Sequence, residues 1–316
     1  MLGSAPRAQP KAVAVSESPI LVCGATGELG GRIVGRLRHV GVPVRALVRP
    51  ASSAEALRRL GVELAVGDFR DRASLDRAVA GARAVVSTVT VIARLFAGEK
   101  GTNFHDVDLV GHRDLIAAAE AAGVERFLFV SALSIRHAES SNTPLGKGKI
   151  ATERALTSSP VREGILRPDL FQEIWLSPEA QFDWPNRKVI IFGKGETPSR
   201  YIATDDVAEA AAKLVLADDP PRLVEFGGPD ALTRKQAVAV FEQALGQPIR
   251  VRHVPRTALR VGSVALRHFR PAMASVMGGA LALDLHPGTS SEEPLRQLGI
   301  TPRSVEAYAT QVTTAP

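Results

Sequence analysis

Short apolar runs alternate along this chain with segments whose apolar residues recur every three or four positions. Residues 20–23, Ile-Leu-Val-Cys, read as a buried strand, and Ile33, Val34 and Leu37 follow at helical spacing. The pattern then repeats. Residues 42–48 predict a second strand, 54–60 a short helix closed by Gly61, 62–66 a third strand and 74–80 a helix closed by Gly81. Residues 84–88 predict a fourth strand, 106–122 one long helix closed by Gly123, and 126–130 a fifth strand. A loop rich in Ser, Asn, Pro and Gly runs to Gly148, before a helix over 149–156 and a sixth strand over 163–167 stopped by Pro168. A helix over 203–217, with Asp205 and Asp206 in its first turn, leads to a final strand at 223–226.

Such alternation predicts an α/β fold: a doubly wound, Rossmann-type parallel sheet with helices on both faces. The sheet domain is expected over 18–170 and 201–227. Residues 171–200 and 228–316 form a smaller, interleaved C-terminal lobe over the carboxyl edge, where a substrate would lie. Within that lobe Thr233 starts a helix that Gly246 closes.

The first strand runs into Gly24, Gly27 and Gly30, spaced GxxGxxG, and then into the first helix. In that context the three glycines serve a tight turn, the approach of a pyrophosphate to the backbone, and close helix packing. Thr26, Gly27, Glu28 and Leu29, at the turn and helix start, offer N–H groups at a positive dipole end. No Asp or Glu occurs from Leu29 to Ala54, where an NAD-binding unit usually carries the acid that holds the ribose 2′-hydroxyl. Arg49 ends the second strand instead, and a guanidinium there suits a 2′-phosphate, so the expected cofactor is NADP(H). Asp68 and Phe69, at the end of the third strand, face the adenine side; Thr88 and Val89 end the fourth beside the crevice.

Composition narrows the classes. The chain has 316 residues, 45% hydrophobic and 23% charged, as in ordinary globular proteins. Aromatic content of 5% argues against stacked-base recognition of single strands, and no nucleic-acid motif, zinc spacing or hydrolase elbow is present. The single cysteine, Cys23, excludes an internal disulfide and suits a reducing, cytoplasmic setting. No uncharged apolar run reaches membrane-spanning length, so stable membrane insertion is not expected. Residues 1–17, rich in Ala, Ser and Pro, are expected to be a disordered tail.

The ordered series Gly24-Ala-Thr-Gly-Glu-Leu-Gly30, Leu47-Val-Arg49, Gly67-Asp68, Gly123-Val-Glu-Arg-Phe-Leu-Phe-Val-Ser131, Lys149-Ile-Ala-Thr-Glu153, Ile165-Leu-Arg-Pro168, Ala203-Thr-Asp-Asp-Val-Ala208 and Gly227-Gly-Pro229 resembles the atypical short-chain dehydrogenase/reductases. Within them it is most similar to the NmrA-like and isoflavone-reductase-like branch. The resemblance spans roughly residues 19–247. It implies a Rossmann sheet, NADP(H) and a small substrate lobe, and it does not transfer a substrate.

Many short-chain dehydrogenases use a Tyr four residues before a Lys. Here that position, before Lys149, holds Leu145, and neither Tyr201 nor Tyr308 has a Lys four residues on. Two readings follow. In the first, which the branch implies, Lys149 acts without Tyr: its ammonium holds the nicotinamide ribose and shuttles a proton, and Ser131 donates to a substrate oxygen. That makes an NADPH-dependent reductase of a small carbonyl or conjugated organic molecule. In the second, the chain binds NADP(H) without turnover, as a redox sensor, regulator or assembly factor of the NmrA-like type. Lys147, two residues away, is the alternative ribose ligand if the register shifts. Phe171, Trp175, Phe192, Met273 and Met277 are candidate substrate walls.

Arg256, Arg260, Arg267 and Arg270 share one arc of a helix ended by Pro271, with Val261, Val264, Ala265 and Phe269 on the opposite arc. This predicts an amphipathic helix with a basic face, suited to an acidic protein partner or to anionic headgroups. The seven histidines are scattered, and structural roles are expected for them.

Overall fold

The computed structural model describes residues 17–96 and 99–314. Apart from Glu17, the expected tail lies outside the described residues. In chain order the strands are β1 (Ile20–Cys23), β2 (Val44–Val48), β3 (Glu63–Val66), β4 (Ala84–Ser87), β5 (Arg126–Val130), β6 (Arg162–Pro168) and β7 (Leu170–Phe171). They continue with β8 (Phe182–Asp183), β9 (Lys188–Phe192), β10 (Ser199–Ile202), β11 (Leu223–Phe226), β12 (Ala231–Leu232) and β13 (Arg250–Val254).

Seven strands form one parallel sheet in the order β11-β6-β5-β4-β1-β2-β3. The first strand lies inside it, third from the β3 edge, with Ile20 opposite Val44 on one side and Ala84 on the other. Both faces are covered, which is why the run is continuously apolar instead of alternating. Ile20 and Val22 join Ile33, Val34 and Leu37 of helix Glu28–His39 and Val207, Ala211 and Leu214 of helix Thr204–Leu216. Leu21 and Cys23 point the other way, into Leu75, Val107, Leu115, Phe127 and Phe129. The chain changes direction across the sheet between β1 and β4, so the crevice opens at the carboxyl ends of these two strands.

Two three-stranded sheets, β12-β10-β7 and β13-β9-β8, carry the C-terminal half. Their core gathers Leu176, Phe182, Ile191, Tyr201, Phe241 and Tyr308. Helix Arg234–Leu245 begins with a capping box between Thr233 and Gln236 and stops at Gly246 in the left-handed conformation.

Three elements differ from the sequence expectation. Helix Pro144–Thr157 starts five residues earlier than read, because Thr143 caps it through the Gly146 N–H and Pro144 takes the first turn. The expected long helix over 106–122 is two pieces, a π-helix His105–Gly111 and an α-helix His112–Ala121. The basic segment is not one helix. Helix Arg256–Ala265 ends in a turn, and Pro271 opens a second helix, Pro271–Leu285, rather than closing the first.

Candidate active site

The glycine-rich turn shows why each glycine is there. Gly24 has φ +86, and a Cβ on it would stand 2.4 Å from Thr88 Oγ1. A Cβ on Gly30 would stand 2.2 Å from the Gly24 carbonyl oxygen, so the helix can start this close to the turn only without one. Gly27 is the N-cap; its N–H donates to Gly24 O at 2.9 Å. Thr26, Gly27 and Glu28 are exposed and Leu29 is partly so, which leaves the N-terminal amide groups open to a ligand. The Glu28 carboxylate turns to Arg32 at 3.1 Å.

At the adjoining strand ends every arginine is paired. Arg49 Nη1 reaches both carboxylate oxygens of Glu99, at 3.1 and 3.3 Å, and Arg94 holds the same carboxylate. The Arg94 guanidinium, foremost, pulls the Glu99 pKa down to about 2. Asp68 accepts from Arg70 Nε and Nη2, each at 2.9 Å, which keeps its pKa low. The Phe69 ring is buried and packs edge-on against His112 at 5.0 Å. Thr88 Oγ1 donates back to Cys23 O at 3.2 Å, closing the turn behind Gly24, and Val89 stays partly exposed beside it.

Lys149 and Ser131 meet at the tip of β5. Lys149 Nζ donates to Val130 O at 2.9 Å and lies 5.1 Å from the Phe129 ring centroid. Burial of the amine lowers its pKa, opposed by the carboxylates of Asp108 and Glu153. Ser131 Oγ is buried and has no hydrogen-bond partner among the described residues. A hydroxyl in that state is costly unless a ligand satisfies it. Lys147, two residues earlier, is exposed.

Asp108, which the sequence reading overlooked, completes this cluster. The π-helix turns it inward, and its carboxylate accepts from the Val91 N–H at 3.0 Å, at the end of the loop that follows Thr88 and Val89. Thr152 Oγ1 donates to Asp108 O at 3.2 Å, and a Cβ on Gly148 would lie 2.9 Å from Asp108 Cβ. Burial raises the Asp108 pKa to about 6, with Lys149 among the groups that oppose the rise. Extra residues in a helical turn are frequent at functional sites, and here the π-turn sets a carboxylate beneath the crevice loop. The sequence held one signal: Asp108 stands four residues before His112 and seven before Leu115, on the apolar face. His112 is a satisfied core histidine. Its Nε2 meets Ser87 Oγ at 3.0 Å, and burial drives its pKa down to about 3.

Of the five candidate substrate walls, Trp175 and Phe192 share one cavity with Leu170, Tyr201, Arg234 and Leu283. Phe171 packs instead against the main sheet's core, Met277 lies against Gly262, and Met273 is exposed. Among the described residues no group of three or more His, Cys, Asp or Glu could hold a metal ion, and no helix is long and apolar enough to cross a membrane.

A glycine turn opening onto a helix N-terminus at a doubly wound sheet's switch point defines a dinucleotide-binding protein. Residues 24–218 match the NAD(P)H-binding family, and the chain belongs to that family. It is 31% identical over 239 residues to the photosystem II assembly factor Ycf39 of Cyanophora paradoxa, across 75% of this chain and 71% of that one. It is 29% identical over 235 residues to quinone oxidoreductase 2 of Escherichia coli K12, across 73% and 76% respectively. The solved structure of an Escherichia coli NADPH-dependent quinone oxidoreductase in complex with NADPH superposes with a TM-score of 0.72 at 22% identity, covering 93% of this chain and 99% of that one.

Proposed function

We propose that this protein is an NADPH-dependent reductase of a small conjugated carbonyl compound, such as a quinone. The observation that carries the reading is the pair at the tip of β5: a part-buried Lys149 ammonium with donors to spare beside a Ser131 hydroxyl that no described residue uses. The glycine turn accepts a pyrophosphate, because Gly24 and Gly30 keep the space that a Cβ would fill. Arg49 would hold the 2′-phosphate, with Asp68, the Phe69 backbone, Thr88 and Val89 around the adenosine.

Bound NADPH supplies a hydride. Lys149 holds the nicotinamide ribose and delivers a proton to the substrate oxygen on which charge develops, while Ser131 donates a hydrogen bond to that oxygen. Asp108 keeps Lys149 charged despite its burial and pins the loop through Val91. Trp175 and Phe192 supply apolar wall in the lobe beyond.

The test is Lys149→Ala, assayed with NADPH and a panel of quinones and conjugated carbonyls. The expected loss in kcat is about 10²- to 10⁴-fold, with the circular dichroism spectrum unchanged. Wild-type protein that never consumes NADPH across the panel removes the reductase reading.

A second reading has its own support. The Ycf39 relative is an assembly factor, and position 145, four before Lys149, is Leu instead of Tyr. A non-catalytic NADP(H)-binding sensor or assembly factor would hold a protein partner and release it on oxidation of the cofactor. A pull-down with NADPH against NADP+ separates that reading from the first.

A further inference from the structure

The formal net charge of the chain is +6, and it has a single source. No Asp or Glu occurs from Gln243 to Leu283, a stretch that carries Arg250, Arg252, Arg256, Arg260, Arg267 and Arg270. Outside it, the remaining 33 basic residues are matched by 33 acidic ones. In the fold this stretch is β13, helix Arg256–Ala265, the turn after it and most of helix Pro271–Leu285.

Only one of the six arginines turns inward. Arg256 Nε donates to Asp284 at 2.5 Å, while Asp284 also accepts from the N–H groups of Lys194 and Gly195. Among the described residues none of the other five has a carboxylate within ion-pair distance. The helix packs through Leu259, Gly262 and Leu266, and the arc of Val261, Val264 and Ala265 faces outward. Val261 is 66% exposed, Val264 53%, Phe269 in the turn 85% and Met273 38%. Arg260, Arg267, His268 and Arg270 are exposed alongside them.

We propose that this helical hairpin docks the protein onto an anionic phospholipid surface. The occupant follows from what the face leaves unsatisfied. Bulky apolar side chains and guanidinium groups that meet no carboxylate among the described residues are exposed on the same hairpin, in a stretch of sequence with no acid. A bilayer interface answers both at once: phosphates meet the arginines while Phe269, Val261 and Val264 sink to the acyl boundary. An acidic protein surface would answer the arginines and set carboxylates against Phe269. The bound protein would lie on the membrane, not in it, consistent with the lack of a spanning helix among the described residues.

The experiment is co-sedimentation of the full chain with vesicles of pure phosphatidylcholine or of phosphatidylcholine containing phosphatidylglycerol. Wild type is expected to pellet with the anionic vesicles, to stay free with the neutral ones, and to be released by salt. The double variant Arg260→Glu, Arg267→Glu is expected to lose on the order of tenfold or more in partition, at about 1 kcal/mol per arginine near the surface. Phe269→Ser is expected to lose several-fold. These residues lie outside the proposed cofactor crevice, so NADPH titration of each variant serves as the folding control. Equal partition to neutral and anionic vesicles overturns the proposal, as does no binding to either. So does binding to anionic vesicles that survives both the charge reversal and Phe269→Ser, which would place the lipid contact elsewhere on the chain.

Discussion

The strand ends around Arg49 and the helical hairpin 256–285 are both rich in arginine, and they treat it in opposite ways. At the strand ends Arg49, Arg70 and Arg94 each hold a carboxylate, from Glu99 or Asp68. On the hairpin, among the described residues, Arg256 alone has one. A guanidinium count therefore says little about what a surface does. The paired cluster is pre-shaped, since each guanidinium is already fixed by a carboxylate. The unpaired one offers its full charge to whatever approaches. Glu99 stands against Arg49 as an internal anion, and we expect it to compete with a 2′-phosphate for the same guanidinium.

The sharpest way to test that contrast is at Arg49. Arg49→Ala should weaken NADPH binding by about 10- to 100-fold, the loss of a charge-assisted pair, and leave NADH binding unchanged. Equal losses for both nucleotides would sever Arg49 from the 2′-phosphate. On the hairpin, Arg256→Ala strands the buried Asp284 and should lower unfolding stability by about 1–3 kcal/mol, whereas Arg260→Glu should change it by less than about 0.5 kcal/mol. Chemical denaturation of both variants decides whether the two arginines of one helix differ as their partners do. Glu99→Gln removes the competitor and should tighten NADPH several-fold, read by fluorescence titration; no change, or weaker binding, would mean that Glu99 orders the site instead of occupying it.

The smallest effect concerns Asp108. Its folded pKa, raised to about 6 by burial, lies above that of a free carboxyl. Above pH 6 it is ionised and supports the Lys149 ammonium; below pH 6 it is protonated and that support is lost. The kcat profile should carry an acid limb near pH 6 that Asp108→Asn abolishes. Stability has the opposite sign. Between the free-carboxyl pKa and about 6 the folded chain keeps a proton that the unfolded chain has released. Stability therefore falls as pH rises through that window, and the variant lacks the slope.

The hydrophobic pattern made most of the sheet legible. A central strand buried on both faces must be apolar throughout, and β1 is; the turn after it admits only glycine where Thr88 and the Gly24 carbonyl leave no room. Those constraints are local, so residues 20–37 display them in order. The position of Ser131 was legible for a related reason, since it follows directly on β5, whereas Lys149 lies inside helix Pro144–Thr157, whose start the pattern did not show.

The π-turn escaped because its cause is remote. It depends on the Val91 N–H donating to the Asp108 carboxylate and on Gly148 packing against it, residues distant in the chain. Phe69 went to the core for the same reason, because His112 and Gly111 close over its ring. The hairpin is the plainest case. An amphipathic sequence states that two arcs differ but not which one is covered, because burial belongs to the pair of surfaces that meet. Leu259, Gly262 and Leu266 made that contact, and the arc richest in valine was left to the outside. Sequence alone thus determined the dinucleotide-binding turn and the parallel sheet, whose requirements each residue carries locally. Tertiary structure decided which charges were neutralised and which apolar face stayed open, since both depend on neighbours that only folding supplies.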